Sequence, residues 1–248
     1  MAEQLERLGD AYEIHLYSER VDGVDMRKIF WHRIFIPRGP HLFRYIWWLA
    51  ANHVCWWRDR HLRGLVPDVV YSPGVNCFDA DVISVHVIFR KLRHQDRHQE
   101  RQGLWLCRNS WRLWPLVLHR RMYYRLCEFF EGRIYGDTRV ILVAVSKKTA
   151  RDLTLGFRRS KNIEVVYCGI DSVRFNARRR KEMRPSSRAT LGIPDDVFDI
   201  LLVGNDWKLK GLPCLMNAVA RLRSPCFVFL SRATTPWCPI AKVPGDSK

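Results

Sequence analysis

Two residues stand where apolar runs end, and their types suit an anionic ligand and a hydroxyl group. Lys210 precedes Gly211 and Leu212, shortly after the run Ile200-Leu-Leu-Val203 closes on Gly204. An ammonium beside the free backbone N–H groups of a starting helix would hold a diphosphate by charge and helix dipole. Lys208 supplies a second cation close by. His86 closes the run Asp81-Val-Ile-Ser-Val85, and an imidazole there can hydrogen-bond a hydroxyl in either charge state. Gly169 and Asp171 follow the run Ile163-Glu-Val-Val-Tyr167. Glycine permits close backbone approach or positive φ, and an aspartate ties down a turn with its side chain. Ser146 ends the run Val140–Val145 and suits a helix N-cap. No Gly-x-Ser-x-Gly elbow surrounds it, so it is not read as a nucleophile.

Such residues need elements that deliver them to one cleft. Apolar runs that end in small or polar residues read as buried parallel strands with a ligand at their carboxyl ends. Strands are expected at Tyr12–Tyr17, Ile34–Pro37, Pro67–Tyr71, Asp81–His86, Val140–Val145, Ile163–Tyr167, Phe198–Val203 and Phe227–Leu230. Ser72-Pro73-Gly74 reads as a turn. Helices are expected at Ala2–Leu8, His41–Leu65, Leu104–Glu131 with a kink near Pro115, Lys147–Leu155 and Leu212–Leu222. Alternation of the two types predicts an α/β fold of two Rossmann-like domains. Residues 1–175 read as the first domain and 176–190, rich in arginine without apolar period, as the linker. Residues 191–232 read as part of a second domain and the proline-bearing 233–248 as an irregular tail.

The order of these motifs resembles the retaining, nucleotide-sugar-dependent glycosyltransferases of family 4, which have the GT-B fold. The carriers are Val145-Ser146, Gly169-Ile-Asp171 followed by Phe175, and Gly204 shortly before Lys210-Gly211. The resemblance implies that Lys210, aided by Lys208, Gly204 and Gly211, neutralises the leaving nucleoside diphosphate. It implies that His86 faces the sugar as the catalytic-site group, with Gly169 and Asp171 shaping the cleft near the hinge. It implies no metal ion or other cofactor. Its expected partners are a nucleotide sugar and a carbohydrate or lipid-linked acceptor. Three departures stand beside it. Asn205, not arginine, follows Gly204, and no glutamate follows Glu182, so the family's paired glutamates are absent. The opening strand and glycine-rich loop are also not in the sequence. The chain therefore reads as truncated at both ends and weak or inactive as an enzyme.

Bulk composition supports an anionic partner. Lys plus Arg number 42 against 25 Asp plus Glu, a formal charge of +17. Trp47, Trp48 and Arg58 in one aromatic, arginine-rich segment, with Arg120 and Arg121 in another, suit an anionic membrane interface. No helix-turn-helix, RNA-recognition or zinc signature appears, so nucleic acid is not read as a partner. The eight cysteines lack paired short spacings, which reads as a reducing compartment without a disulfide framework. No signal core or run of ~20 apolar residues appears. The expectation is a cytoplasmic protein, peripheral on the inner face of the membrane. The competing reading is a non-catalytic module that binds an acceptor or the membrane.

Overall fold

The structure is a computed structural model that describes residues 2–93, 114–204, 210–221, 226–231 and 238–243. The chain divides into two compact units, Met1–Cys168 and Gly169–Lys248.

The first unit carries the larger core. Its main sheet has four parallel strands in the order β3 (Tyr71–Pro73), β4 (Val82–Val85), β5 (Ile141–Ala144) and β6 (Ile163–Val165). The inner strands β4 and β5 pair Val82 with Ile141 through Val85 with Ala144. Ile83, Val85, Leu142 and Ala144 are fully buried, as expected where helices cover both faces of a parallel sheet. Leu153 of the following helix, Lys147–Phe157, is also fully buried and joins this core with Ile134 and Tyr135. A second sheet pairs β1 (His15–Ser18) with β2 (Phe30–Arg33) in parallel. Helix α1 (Ala2–Gly9) precedes it and α2 (His41–Leu62) follows. Helix α3 (Trp114–Ile134) meets α2 through Tyr123, whose ring sits edge-on to His41 and Tyr45. The helix Lys147–Phe157 is α4.

Two elements depart from the expected positions, and a third is described only in part. The strand expected at Ile34–Pro37 lies at Phe30–Arg33, because pairing starts at His15 with Phe30 and β1 ends at Ser18. Ile34 donates one last bond to Ser18 O at 2.9 Å, and Pro37 has no N–H to continue with. The strand expected at Pro67–Tyr71 begins only at Tyr71 and runs through the expected turn to Pro73. It pairs with β4 alone, and proline is tolerated on such an edge strand. The helix expected from Leu104 is described only from Trp114. The expected kink near Pro115 falls at the edge of the described residues.

The second unit opens with α5 (Ala177–Leu191), where the linker was expected. Asn176 caps it by accepting from Arg179 N at 2.8 Å, and Gly192 ends it with φ +64°. Its surface is almost wholly exposed, which explains the missing apolar period. One buried side chain anchors it: Arg188 pairs with Asp199 and donates to the carbonyls of Pro194 and Val197. The sheet is β7 (Phe198–Val203), parallel to β8 (Cys226–Ser231), which is antiparallel to β9 (Cys238–Val243). Strand β9 corrects the expected irregular tail. Its Pro239 sits opposite Phe229 beside a register shift, where a ladder tolerates a residue without N–H. Helix α6 (Leu212–Val219) lies between β7 and β8 in the chain.

Candidate functional site

Because β3 to β6 are all parallel, their carboxyl ends lie along one edge of the sheet. That edge carries Gly74 after β3, His86 after β4 and Ser146 after β5. The register sets Val85 beside Ala144, so His86 leaves the sheet next to the strand that leads to Ser146. His86 is exposed at this edge. Tyr71 and Ser84 share a hydrogen bond of 2.7 Å, and Gly74 N donates to Ser84 O at 2.9 Å. Ser146 is the N-cap of α4, accepting from Thr149 N at 3.1 Å. Asp81 is structural, its carboxylate accepting from Val70 N at 2.8 Å.

In the second unit Lys210 and Gly204 meet. A Cβ on Gly204 would stand 2.7 Å from Cγ of Lys210 and 3.2 Å from its Cε. The lysine stem therefore folds back over the end of β7, and glycine leaves it room. Gly211 is the N-cap of α6 with φ +83°, a left-handed conformation that favours glycine. Leu215 N donates to Gly211 O at 2.9 Å, and Pro213 falls in the first turn. The result is an ammonium-bearing side chain at the start of a helix whose first amides are free of intrahelical partners. Lys208 lies outside the described residues.

Asp171 ties its turn as expected: Oδ1 accepts from Val173 N at 2.9 Å and Arg174 N at 3.0 Å. Gly169 is the first residue of the second unit. Its φ is not positive, and a Cβ there would meet nothing within 4 Å.

The candidates for a membrane face differ among themselves. Trp47 is 51% exposed, its indole donating to Phe35 O at 3.0 Å. Trp48 is half-buried, and Arg120 and Arg121 are exposed on α3. Arg58 is committed inward, donating twice to Asp59 at 3.0 Å. Of the neighbouring indoles, Trp56 is buried and Trp57 is 56% exposed. No helix among the described residues is long and apolar enough to cross a membrane. No cluster of ligating side chains suited to a metal occurs among them either.

Three buried polar hubs escaped the sequence reading. Asp59 gathers Tyr17, His32, Arg58 and Arg63. Glu131 accepts from Phe89 N at 2.6 Å and Arg90 N at 3.0 Å. Arg159 donates to the carbonyls of Tyr135, Asp137, Val140, Lys161 and Asn162. All three sit in charged or aromatic stretches whose local pattern looks like an ordinary solvated face. Only their long-range partners distinguish them.

Parallel strands in two successive α/β units, with the candidate residues at strand carboxyl ends, make a Rossmann-like, GT-B-type fold. The comparison that carries this is a crystal structure of WaaG, described as a glycosyltransferase involved in lipopolysaccharide biosynthesis. It matches with a TM-score of 0.60 at 15% identity, over 93% of this chain and 57% of WaaG. The chain thus spans little more than half the length of that protein. No family model and no curated protein matches the sequence.

Proposed function

We propose that the protein is a retaining, family 4-like glycosyltransferase that takes a sugar from a nucleotide diphosphate sugar to a hydroxyl acceptor. The observation that carries the reading is Lys210 folded over Gly204 at the start of α6. As the glycosidic bond to the diphosphate breaks, negative charge grows on the leaving oxygen. A cation and oriented amides stabilise that charge more than the ground state, which is where rate enhancement arises. His86 would hydrogen-bond a sugar hydroxyl from its strand end. Lys208 would add a second positive charge. Gly169 and Asp171 would shape the chain between the units. The described work of WaaG on lipopolysaccharide supports a lipid-linked or envelope glycan as acceptor class. Asn205 after Gly204 leaves the donor one cation fewer than the family pattern, so slow transfer is expected.

Calorimetric titration with UDP and GDP, beside a Lys210→Ala variant, tests the reading. Saturable binding that the variant loses supports it. Failure of the folded chain to bind either nucleotide overturns the donor site.

The second reading, docking on an anionic membrane, has its own observation. Helix α2 exposes Phe43, Ile46, Trp47, Val54, Trp57 and Leu62 on a chain of net charge +17. Indoles and cations together suit the headgroup region. This would place the protein at the inner face of the cytoplasmic membrane.

A further inference from the structure

The chain leaving β4 is held at two points. Val85 is fully buried in the sheet, opposite Ala144. Ile88 is buried, and the next two amides, of Phe89 and Arg90, donate to the Glu131 carboxylate at 2.6 and 3.0 Å. His86 and Val87 lie exposed between these anchors. The two amides open a helical turn, residues 89–93, and Glu131 itself is fully buried on α3. Other ties to this turn run through side chains. Arg90 donates to Gly156 O at 2.7 Å, Lys91 pairs with Asp152, and Arg93 pairs with Glu128 at 2.7 Å. Glu131 is the group that grips the turn by its backbone.

We propose that Glu131 is a positioning residue for His86: its ionised carboxylate fixes the path of the chain out of β4 and so sets where the imidazole stands. The proposal rests on the reading of His86 as the sugar-facing group. A carboxylate accepts from two amides at once with charge assistance. A protonated carboxyl sets an O–H against one of the N–H groups and loses a bond. Burial pushes the Glu131 carboxyl up to about 7, against the pull of the Arg90 and Phe89 amides. Glu128 adds to the rise and the Arg90 guanidinium opposes it. Cys127 on α3 and Tyr135 just past its end also face it, and burial holds both neutral. The grip therefore tightens as pH rises through about 7, and the sugar-facing geometry sharpens with it.

Two measurements on the whole chain test this. The first follows the amide resonances of Phe89 and Arg90 with pH, in the wild-type protein and in Glu131→Gln. Both should move with one midpoint near neutrality in the wild type and stay flat in the variant. The second compares affinities for UDP-glucose and UDP. Glu131→Gln should erode the preference for the sugar-bearing nucleotide by on the order of tenfold, as His86→Ala does, with UDP affinity unchanged. The double variant should lose nothing more, because both substitutions act through one group. Glu131→Asp should restore part of the preference and keep its pH dependence. Amides that ignore both pH and substitution would overturn the proposal, as would losses that add in the double variant. A wild-type chain that binds UDP-glucose and UDP equally overturns the sugar-facing role of His86 and the service of Glu131 to it. Amide responses that persist in that case would show that Glu131 still holds the turn, so the two failures are told apart.

Discussion

His15 Nδ1 and His32 Nε2 lie 2.9 Å apart, in a chain of hydrogen bonds that runs from Glu13 to Asp59. His15 Nε2 meets Glu13 at 2.8 Å, and His32 Nδ1 meets Asp59 at 2.8 Å. Two facing ring nitrogens bond only when one carries a proton and the other is bare. With both outer nitrogens directed at carboxylates, all three contacts are made only when the pair holds one net positive charge. Burial disfavours that charge on His32 and lowers its pKa below 6.5, although Asp59 draws it upward.

The pH dependence of stability follows from these groups. A histidine with a lowered folded pKa takes up its proton more readily in the unfolded chain, so stability is present above 6.5 and lost as pH falls below it. Asp59 acts in the same sense further down. Burial pulls its pKa up, but bonds from Arg58 and Tyr17 and nearby positive charge hold it below 3.8. The melting temperature of the wild type relative to His32→Gln should fall between about pH 7.5 and 5, while Glu131, protonated more readily in the folded chain, works the opposite way in both proteins. An equal slope in the variant would remove His32 as the cause.

The contact between Lys210 and Gly204 is open to a one-methyl test. Gly204→Ala puts a carbon 2.7 Å from Cγ of Lys210. A lysine stem can swing aside, so stability should change by no more than about 0.5 kcal/mol. The displaced ammonium should weaken UDP binding by roughly tenfold, which calorimetry reads. Unchanged affinity would mean that the folded-back stem is not the binding position.

Arg159 predicts a large stability cost far from the candidate site. It is buried and serves five carbonyls, from the end of α3 to the start of β6. Arg159→Met would leave those carbonyls without their donor, at a cost of about 3 kcal/mol or more. Arg139 is the control: it pairs with Asp137 at the surface, and Arg139→Ala should move the midpoint far less. Urea midpoints of the two variants give the comparison.

Membrane docking can be separated from fold stability by choosing residues on α2. Trp47→Ala with Trp57→Ala removes two exposed indoles and should weaken flotation with phosphatidylglycerol vesicles several-fold. Arg58→Ala should lower the melting temperature with little effect on vesicle binding, because Arg58 serves Asp59. Vesicle binding that depends on Arg58 but not on the indoles would overturn this assignment of the face.

The elements were legible wherever burial imposes a local period. Phe198–Val203 appears with its expected bounds, and Val82–Val85, Ile141–Ala144 and Lys147–Phe157 fall within a residue or two of theirs. Ser146 and Asp171 were legible because a cap or an Asx turn acts within three residues. Helix α5 was not, since it buries Arg188 where an apolar stripe would have betrayed it. The chemical types at the strand ends, the excess of cations and the parallel α/β alternation belong to the sequence alone. Tertiary structure decided the rest. It laid the Lys210 stem over Gly204. It joined Glu131 to Phe89 and Asp59 to Tyr17 across 42 residues of chain. Those pairings depend on which elements pack together, and a buried carboxylate and a solvated one look alike until the chain has folded around them.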